Sequence, residues 1–331
     1  MIRSVPRKAP LPQSLLNRAR RQAGLVSSWQ CDAVGVGPSQ RRNLVTRGSW
    51  QRLTRGVFDT GTVPNGLHPF DVDRLRAAWS AWLSNRRAIA VGSCALVLHG
   101  VKGLPRRVVP EATFPHGTAR RARDGIAFRQ YAAGLETVEI TGRSVATVRC
   151  ALFQALPTLS RDHAVACLDN ALNQGLIQVA DIAVIRRGLA NRRGSVQAIA
   201  CLSLTDGRAE SPPESHARLR LLDAGIAPDD LQRDFFDARG RFLGRADLAW
   251  HLGDDRWLIV EIDSQEFHGS ERQVRRDATR QNGLVGEGRN IIMRFFPSHV
   301  TGGHLVGEVA QILAREAWQP GRTLPPAPRR R

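Results

Sequence analysis

The chain has 331 residues, enough for about two domains and room for a small third. Apolar residues make up 42% and charged residues 24%, which supports packed cores and an ordinary charged surface. The net charge of +18 is almost all arginine, since Lys8 and Lys102 are the only lysines, and it favours a polyanionic partner, nucleic acid ahead of an acidic membrane. The longest apolar run, residues 88–98, is broken by Gly92 and Ser93 and is too short to cross a bilayer. Residues 1–12 are basic and proline-rich, without the apolar stretch of a signal peptide. Cys31, Cys94, Cys150, Cys167 and Cys201 are odd in number, far apart and set among apolar residues. They read as reduced, buried thiols, neither a disulfide framework nor a zinc site, and place the protein in the cytoplasm.

The first 60 residues carry 11 basic and 2 acidic side chains and no glutamate. Residues 12–23 have apolar positions at helical spacing up to Gly24, and Ser28 can cap a second short helix that Gly35 stops. A third helix is predicted from Pro38 to Arg47, followed by apolar–polar alternation over residues 50–58 that suits a strand or hairpin. Three short helices and a β-wing form a winged helix-turn-helix layout, in which the third helix enters the major groove of double-stranded DNA. Ser39, Gln40, Arg41, Asn43 and Arg47 would then contact phosphate and bases, while Arg52 and Arg55 would grip the backbone from the wing. A small helical cap with solvated arginines is the competing reading. Gln22-Ala-Gly-Leu-Val-Ser27 and the run from Val45-Thr-Arg-Gly through Leu53-Thr-Arg-Gly-Val-Phe58 resemble the N-terminal domain of AbiEi-type antitoxins from type IV toxin–antitoxin systems. That resemblance implies a winged helix that binds its own operon and works with a toxin partner. It covers about the first 60 residues and extends weakly beyond them.

The loop at residues 60–69, rich in Gly and Pro, ends this first domain. Residues 61–204 read as an α+β middle domain. Strands are predicted at 108–114, 126–131 and 137–140, and helices at 144–156, 161–173 and 179–189. Its basic loop (Arg120, Arg121, Arg123) and lone His99 and His163 form no catalytic constellation, and no function follows from this segment.

Residues 205–314 are the only acidic stretch, with 14 basic and 18 acidic side chains. Ser211 suits an N-cap, Pro212 the first helical position and Glu214 the acid of a capping box, for a helix ending at Gly225. Strands at 231–236, 242–250 and 257–263, a helix at 270–282 and a strand at 291–295 follow. Glu261 and Asp263 are two apart and so share one strand face, with Leu258, Val260 and Ile262 on the other. Asp247 is late enough in the preceding strand to face them. Acids in so apolar a strand need a partner, and a divalent cation is a natural one.

Glu214, Asp247 in Gly-Arg-Ala-Asp-Leu-Ala-Trp250, Glu261-Ile-Asp263, His268, Arg275-Arg-Asp277 and Ile291-Ile-Met-Arg294 resemble the PD-(D/E)XK nuclease superfamily. The narrower likeness is to the DUF559 group, related to very-short-patch repair endonucleases, over about 100 residues. The resemblance implies a restriction-endonuclease-like mixed sheet flanked by helices that hydrolyses DNA with Mg²⁺ or Mn²⁺. Asp247 and Glu261 would be the metal ligands, Asp263 stands where the superfamily often has lysine, and His268 would assist proton transfer or metal binding. Glu214 would position water or a second metal, although capping explains it equally well. The sequence departs from the pattern at Ser264, where glycine is common, and at Gly288-Arg289-Asn290, where a Gly-Trp pair is common.

The expectation is therefore an α/β multidomain protein: a winged helix-turn-helix domain (1–60), the α+β middle domain (61–204), a nuclease-like domain (205–318) and a disordered basic tail (319–331). Two functions remain open: a metal-dependent DNA endonuclease, or a non-enzymatic regulator or antitoxin with an inert nuclease fold. A single-stranded RNA binder gains little support, because Tyr131 is the only tyrosine and no aromatic cluster is evident.

Overall fold

The computed structural model describes residues 10–64, 66–115, 121–122, 124–131, 134–237, 239–263 and 290–325. It is a mixed α/β protein in which the described strands form three sheets. The chain divides into two compact units, Met1–Leu159 with Val179–Ile199 and Ser160–Gln178 with Ala200–Arg331. The first 60 residues share a unit with most of the middle segment, and residues 160–178 belong with the C-terminal acids.

In the first unit, α1 (Gln13–Arg21) leads through β1 (Leu25–Ser27) into the short α2 (Ser28–Asp32). Ser27, one residue before the expected cap, makes a reciprocal capping box with Gln30. Next come α3 (Pro38–Thr46), β2 (Gln51–Thr54) and β3 (Val57–Asp59). The sheet order β1–β3–β2 adds to the expected hairpin a strand too short for alternation to reveal. Leu15, Ala19, Val26, Cys31, Val36 and Trp50 form the core here.

The same unit continues through α4 (Pro69–Leu83), β4 (Ile89–Ala90), α5 (Gly92–Leu98), β5 (Glu111–Thr113), β6 (Ala127–Phe128), β7 (Thr137–Ile140) and β8 (Arg143–Ala146). Thr141 and Gly142 take left-handed φ values of 50° and 73° in the two-residue turn that sets the β7–β8 register. Residues 144–146 were expected to open a helix. They pair as strand instead, and α6 (Val148–Ala155) starts only after the Thr147 cap. The β6–β5–β4–β8–β7 sheet mixes parallel and antiparallel pairs. Arg76 of α4 ion-pairs with Asp59 at the end of β3, and Asp124 accepts from Thr54 Oγ1 and the Arg55 backbone N–H, so the early hairpin is anchored to the later segment.

The second unit takes α7 (Arg161–Asn173), while α8 (Asp181–Leu189) packs on α6 in the first, and α9 (Ser195–Ser203) crosses the division. Then α10 (Pro212–Asp223) precedes β9 (Asp230–Phe236), β10 (Phe242–Gly253), β11 (Arg256–Ile262), β12 (Ile291–Phe295), α11 (Pro297–Thr301) and α12 (His304–Arg315). The sheet order is β12–β11–β10–β9, antiparallel except for the parallel β11–β12 pair. Leu248, Trp250, Leu258, Val260, Ile262 and Phe295 pack against Ala217 and Leu221 of α10 and Leu305, Val309 and Leu313 of α12. Phe235, Ala249, Trp257 and Ile259 form a second cluster.

The chain from Gln319 was expected to be disordered. Through Pro325 it is instead bound to the second unit. Arg322 Nη1 donates to the Leu252 carbonyl (2.7 Å), Arg233 Nη2 donates to the Pro325 carbonyl (3.2 Å), and Leu324 packs on the second cluster. Proline-rich composition hid these fixed contacts. The expected helix at 270–282 lies outside the described residues. All five cysteines are buried thiols outside any disulfide, as expected, and among the described residues no helix is long and apolar enough to cross a membrane.

Candidate functional site

The turn before α3 and its proline at N1 fix where the helix begins, and 3.6-residue periodicity decides which side chains face out. Ser39, Asn43 and Arg47 are exposed and Gln40 is half-buried; Arg52 on β2 and Arg55 in the following turn are exposed as well. Arg41 departs from the expected interface. It is buried, ion-paired with Asp32, and its Nη1 donates to the carbonyls of Ser28 (3.2 Å) and Val36 (2.7 Å). Arg41 therefore ties α3 to α2 from within. Its neighbour Arg42, which sequence reasoning passed over, is exposed and stands one turn from Ser39 on the same stripe as Asn43, Thr46 and Arg47. Counting helical phase from the apolar Leu44 and Val45 would have separated the two arginines.

The acids lie in the second unit. Glu214 is buried at the start of α10, where its backbone N–H donates to Ser211 Oγ (3.5 Å). Its carboxylate accepts the Glu210 backbone N–H (2.9 Å) and Gln232 Nε2 (2.8 Å). Half of the expected capping box is present, and the carboxylate also faces the sheet. Gln232 Nε2 donates in addition to Asp247 Oδ1 (3.1 Å), and the Ile262 backbone N–H donates to Asp247 Oδ2 (2.7 Å). Gln232 is thus a bridge between two acids. Its own backbone is left-handed in mid-strand (φ 53°), a conformation costly for a residue with a side chain. Leu231 lies in the helix-side cluster and Phe235 in the second, so β9 changes sides at this residue. Strict alternation could not foresee that.

Burial, and then the charge of Glu214, push the Asp247 carboxyl up to about 7, with Glu261 adding a smaller push in the same direction. Burial also raises Glu214. Glu261 stands one step along from the Leu248–Val260 pair and opposite Arg294 on β12, with which it ion-pairs at 2.8 Å. The three acids Asp247, Glu261 and Asp263 have different partners, although Glu261 lies close enough to Asp247 to act on its charge. Asp247 joins Glu214 through Gln232, Glu261 takes Arg294, and Asp263 is exposed beyond the end of β11, its backbone N–H on the Phe295 carbonyl (2.9 Å). His268, Ser264, Arg275–Asp277 and Arg289 lie outside the described residues.

These residues suit a divalent cation in donor chemistry and in charge. Asp247 accepts two hydrogen bonds from uncharged donors and is held against two other carboxylates, a repulsion that a cation relieves. Carboxylate oxygens are the donors that Mg²⁺ and Mn²⁺ take. Among the described residues no group of three or more His, Cys, Asp or Glu could hold a metal. The described residues thus bring at most two such ligands to one place, and one of the acids, Glu261, is already ion-paired with Arg294.

Comparison with known proteins adds two relatives. The chain is 32% identical over 159 residues to Uncharacterized protein Rv2248 of Mycobacterium tuberculosis strain H37Rv, and equally so to Uncharacterized protein MT2308 of strain CDC 1551. The match takes in 48% of this chain and spans 57% of each relative's length. No protein-family model matches the chain.

A second acidic centre escaped sequence reasoning. Asp169 of α7, fully buried, accepts from Ser215 Oγ (2.8 Å), Arg218 Nη2 (2.9 Å) and the Asp206 backbone N–H (2.7 Å). Every acceptor oxygen is engaged and the charge is matched, so its work is to join α7, α10 and the segment between them. No local signal marks it, because its partners are 37 to 49 residues away in sequence.

Proposed function

We propose that the chain binds double-stranded DNA through a winged helix-turn-helix at its N-terminus and hydrolyses phosphodiester bonds with its C-terminal unit, on a PD-(D/E)XK-like fold using Mg²⁺ or Mn²⁺. The observation that carries the catalytic part is the Glu214–Gln232–Asp247 bridge. Two buried acids share a neutral amide, and among the described residues neither has an ion pair, an arrangement that weakens the fold and suits a site awaiting positive charge. Asp247 and Glu261 would hold the metal. When bound, that ion would offset charge on the scissile phosphate and lower the pKa of a water. Gln232 fixes the orientation of both acids, the Ile262 N–H fixes the second oxygen of Asp247, and Arg294 offers a guanidinium to phosphate once it is released from Glu261. The outward stripe of α3, Ser39, Arg42, Asn43 and Arg47, would supply DNA contacts, with Arg52 and Arg55 on phosphate.

The Glu261–Arg294 pair favours a second reading, an AbiEi-like regulator or antitoxin acting on its own operon with an inert nuclease fold. There a guanidinium permanently neutralises one of the two acids the metal needs. Purified wild type and Asp247→Asn are to be incubated with supercoiled plasmid and mismatched duplex, with and without Mg²⁺ or Mn²⁺. Metal-dependent nicking that disappears in the variant supports the nuclease. Equal DNA binding by both proteins with no cleavage supports the regulator.

A further inference from the structure

The first unit encloses a cavity of about 430 Å³ that none of the DNA-contact residues lines. Its walls come from α1, from α2 and the residues before it, from α4, and from the β7–β8 turn. The lining is rich in donors and has no carboxylate. Arg18 and Arg21 stand exposed at the side of α1, and among the described residues neither has a carboxylate partner. Deeper in, Gln22 and Gln30 satisfy each other through two amide hydrogen bonds of 2.8 and 3.1 Å.

Among the described residues, two buried donors of side chains that line this cavity have no acceptor. Trp29 Nε1 is one and Arg143 Nε is the other. The Arg143 guanidinium lies over Trp29 (5.4 Å) and Trp82 (5.0 Å), and it donates through Nη2 to the carbonyls of Trp82 and Asn85. A native structure rarely leaves buried donors unpaired, and here two occur in one cavity with three guanidinium groups around it. The chemistry of this lining suits an acceptor-rich, negatively charged ligand. Its volume falls in the range of small-molecule sites and leaves room for more than an oxyanion alone.

We propose that this cavity binds a small phosphate monoester, with the phosphate held by Arg18, Arg21 and Arg143 and the rest of the molecule against Trp29. Planar guanidinium groups match phosphoryl oxygens in geometry as well as charge. The Trp29 ring supplies an aromatic wall for the rest of the molecule. Such a ligand would link α1 to the β7–β8 turn.

Calorimetric titration of the full chain, free of DNA, with AMP, ribose 5-phosphate, inorganic phosphate and adenosine tests the proposal. The expected result is one site per chain for AMP or ribose 5-phosphate, at least ten-fold tighter than for adenosine or inorganic phosphate. AMP binding more tightly than ribose 5-phosphate would assign the remaining volume to the base. The double variant Arg18→Ala, Arg21→Ala alters only exposed positions and should weaken binding at least ten-fold with an unchanged unfolding temperature. Trp29→Phe should weaken it about three-fold. Absence of saturable binding at millimolar concentration, inorganic phosphate binding as tightly as either ester, or unaltered binding by the double variant would each overturn the proposal.

Discussion

Replacing Asp247 by Asn should make the protein more stable while abolishing any metal-dependent cleavage. The folded-state carboxyl titrates near 7 against an ordinary 3.8 because it is buried beside Glu214. At about 1.36 kcal/mol per pKa unit, holding it ionised at pH 8 costs about 4 kcal/mol at most. Glu214 shares that strain, and the new amide would turn a donor towards Gln232 Nε2, so the net gain is nearer ~2 kcal/mol. For a unit of this size that raises the unfolding temperature by ~5 °C. The sign with pH is fixed by the raised pKa. Between about 4 and 7 the folded state keeps a proton that the unfolded state has lost, so this acid's contribution is present at low pH and disappears as pH rises through 7. Calorimetric scans of wild type and variant from pH 5 to 8 should show the gap widening with pH. Saturating Mg²⁺ should then stabilise wild type and leave the variant unchanged. A variant that is less stable at pH 8, or that tracks the wild type's pH slope, would refute the account of Asp247 as an uncompensated buried acid.

Other consequences follow from the same contacts. Arg41→Ala should destabilise the first unit by ~2 kcal/mol, since it removes the side-chain donor of two carbonyls, and thermal unfolding measures this. Arg42→Ala and Arg47→Ala should leave that transition in place, weaken duplex binding and each lower the salt slope by about 1 in titrations at several ionic strengths. Asp169→Ala removes the partner of a largely buried guanidinium and should destabilise the second unit by ~3–5 kcal/mol in urea unfolding. Gly92→Ala should give little folded protein, because a methyl group there meets the buried Glu111 carboxylate on a backbone with φ 52°, and circular dichroism or solubility reports it.

Local chemistry made much of the framework legible. The Pro38 start of α3, the Ser211 cap of α10 and the apolar run of β11 each carry their own signal, and each element lies within a residue or two of its expected place. The failures share a cause. β1 and β8 are three- and four-residue strands whose identity comes from the partner they pair with, β3 in one case and β7 and β4 in the other. The sequence around Ser144 has good helical residues, and a cross-strand ladder overrides that preference. The stretch 319–325 looks like a linker until Arg322 and Pro325 meet backbone and guanidinium partners 70 and 92 residues away.

The acidic site shows the same limit more sharply. Acids in apolar strands marked Asp247 and Glu261, while a capping position and the nuclease resemblance marked Glu214. What they do depends on Gln232 and Arg294, neither of which stands out by composition. Gln232 unites Glu214 with Asp247 only because its backbone turns left-handed where β9 changes sides, a feature no alternation rule contains. Arg294 reaches Glu261 only because β11 and β12 pair in parallel with that register. A neutral bridge leaves Asp247 electrostatically unsatisfied, while a cationic one satisfies Glu261. Under the proposed function a metal ion and Arg294 would compete for Glu261, and the outcome would separate the nuclease from the regulator. Arg294→Gln should strengthen metal-dependent cleavage, or metal binding read by calorimetry, if the guanidinium holds the site closed. If Arg294 instead grips phosphate, the same change should weaken substrate binding and leave metal affinity where it was.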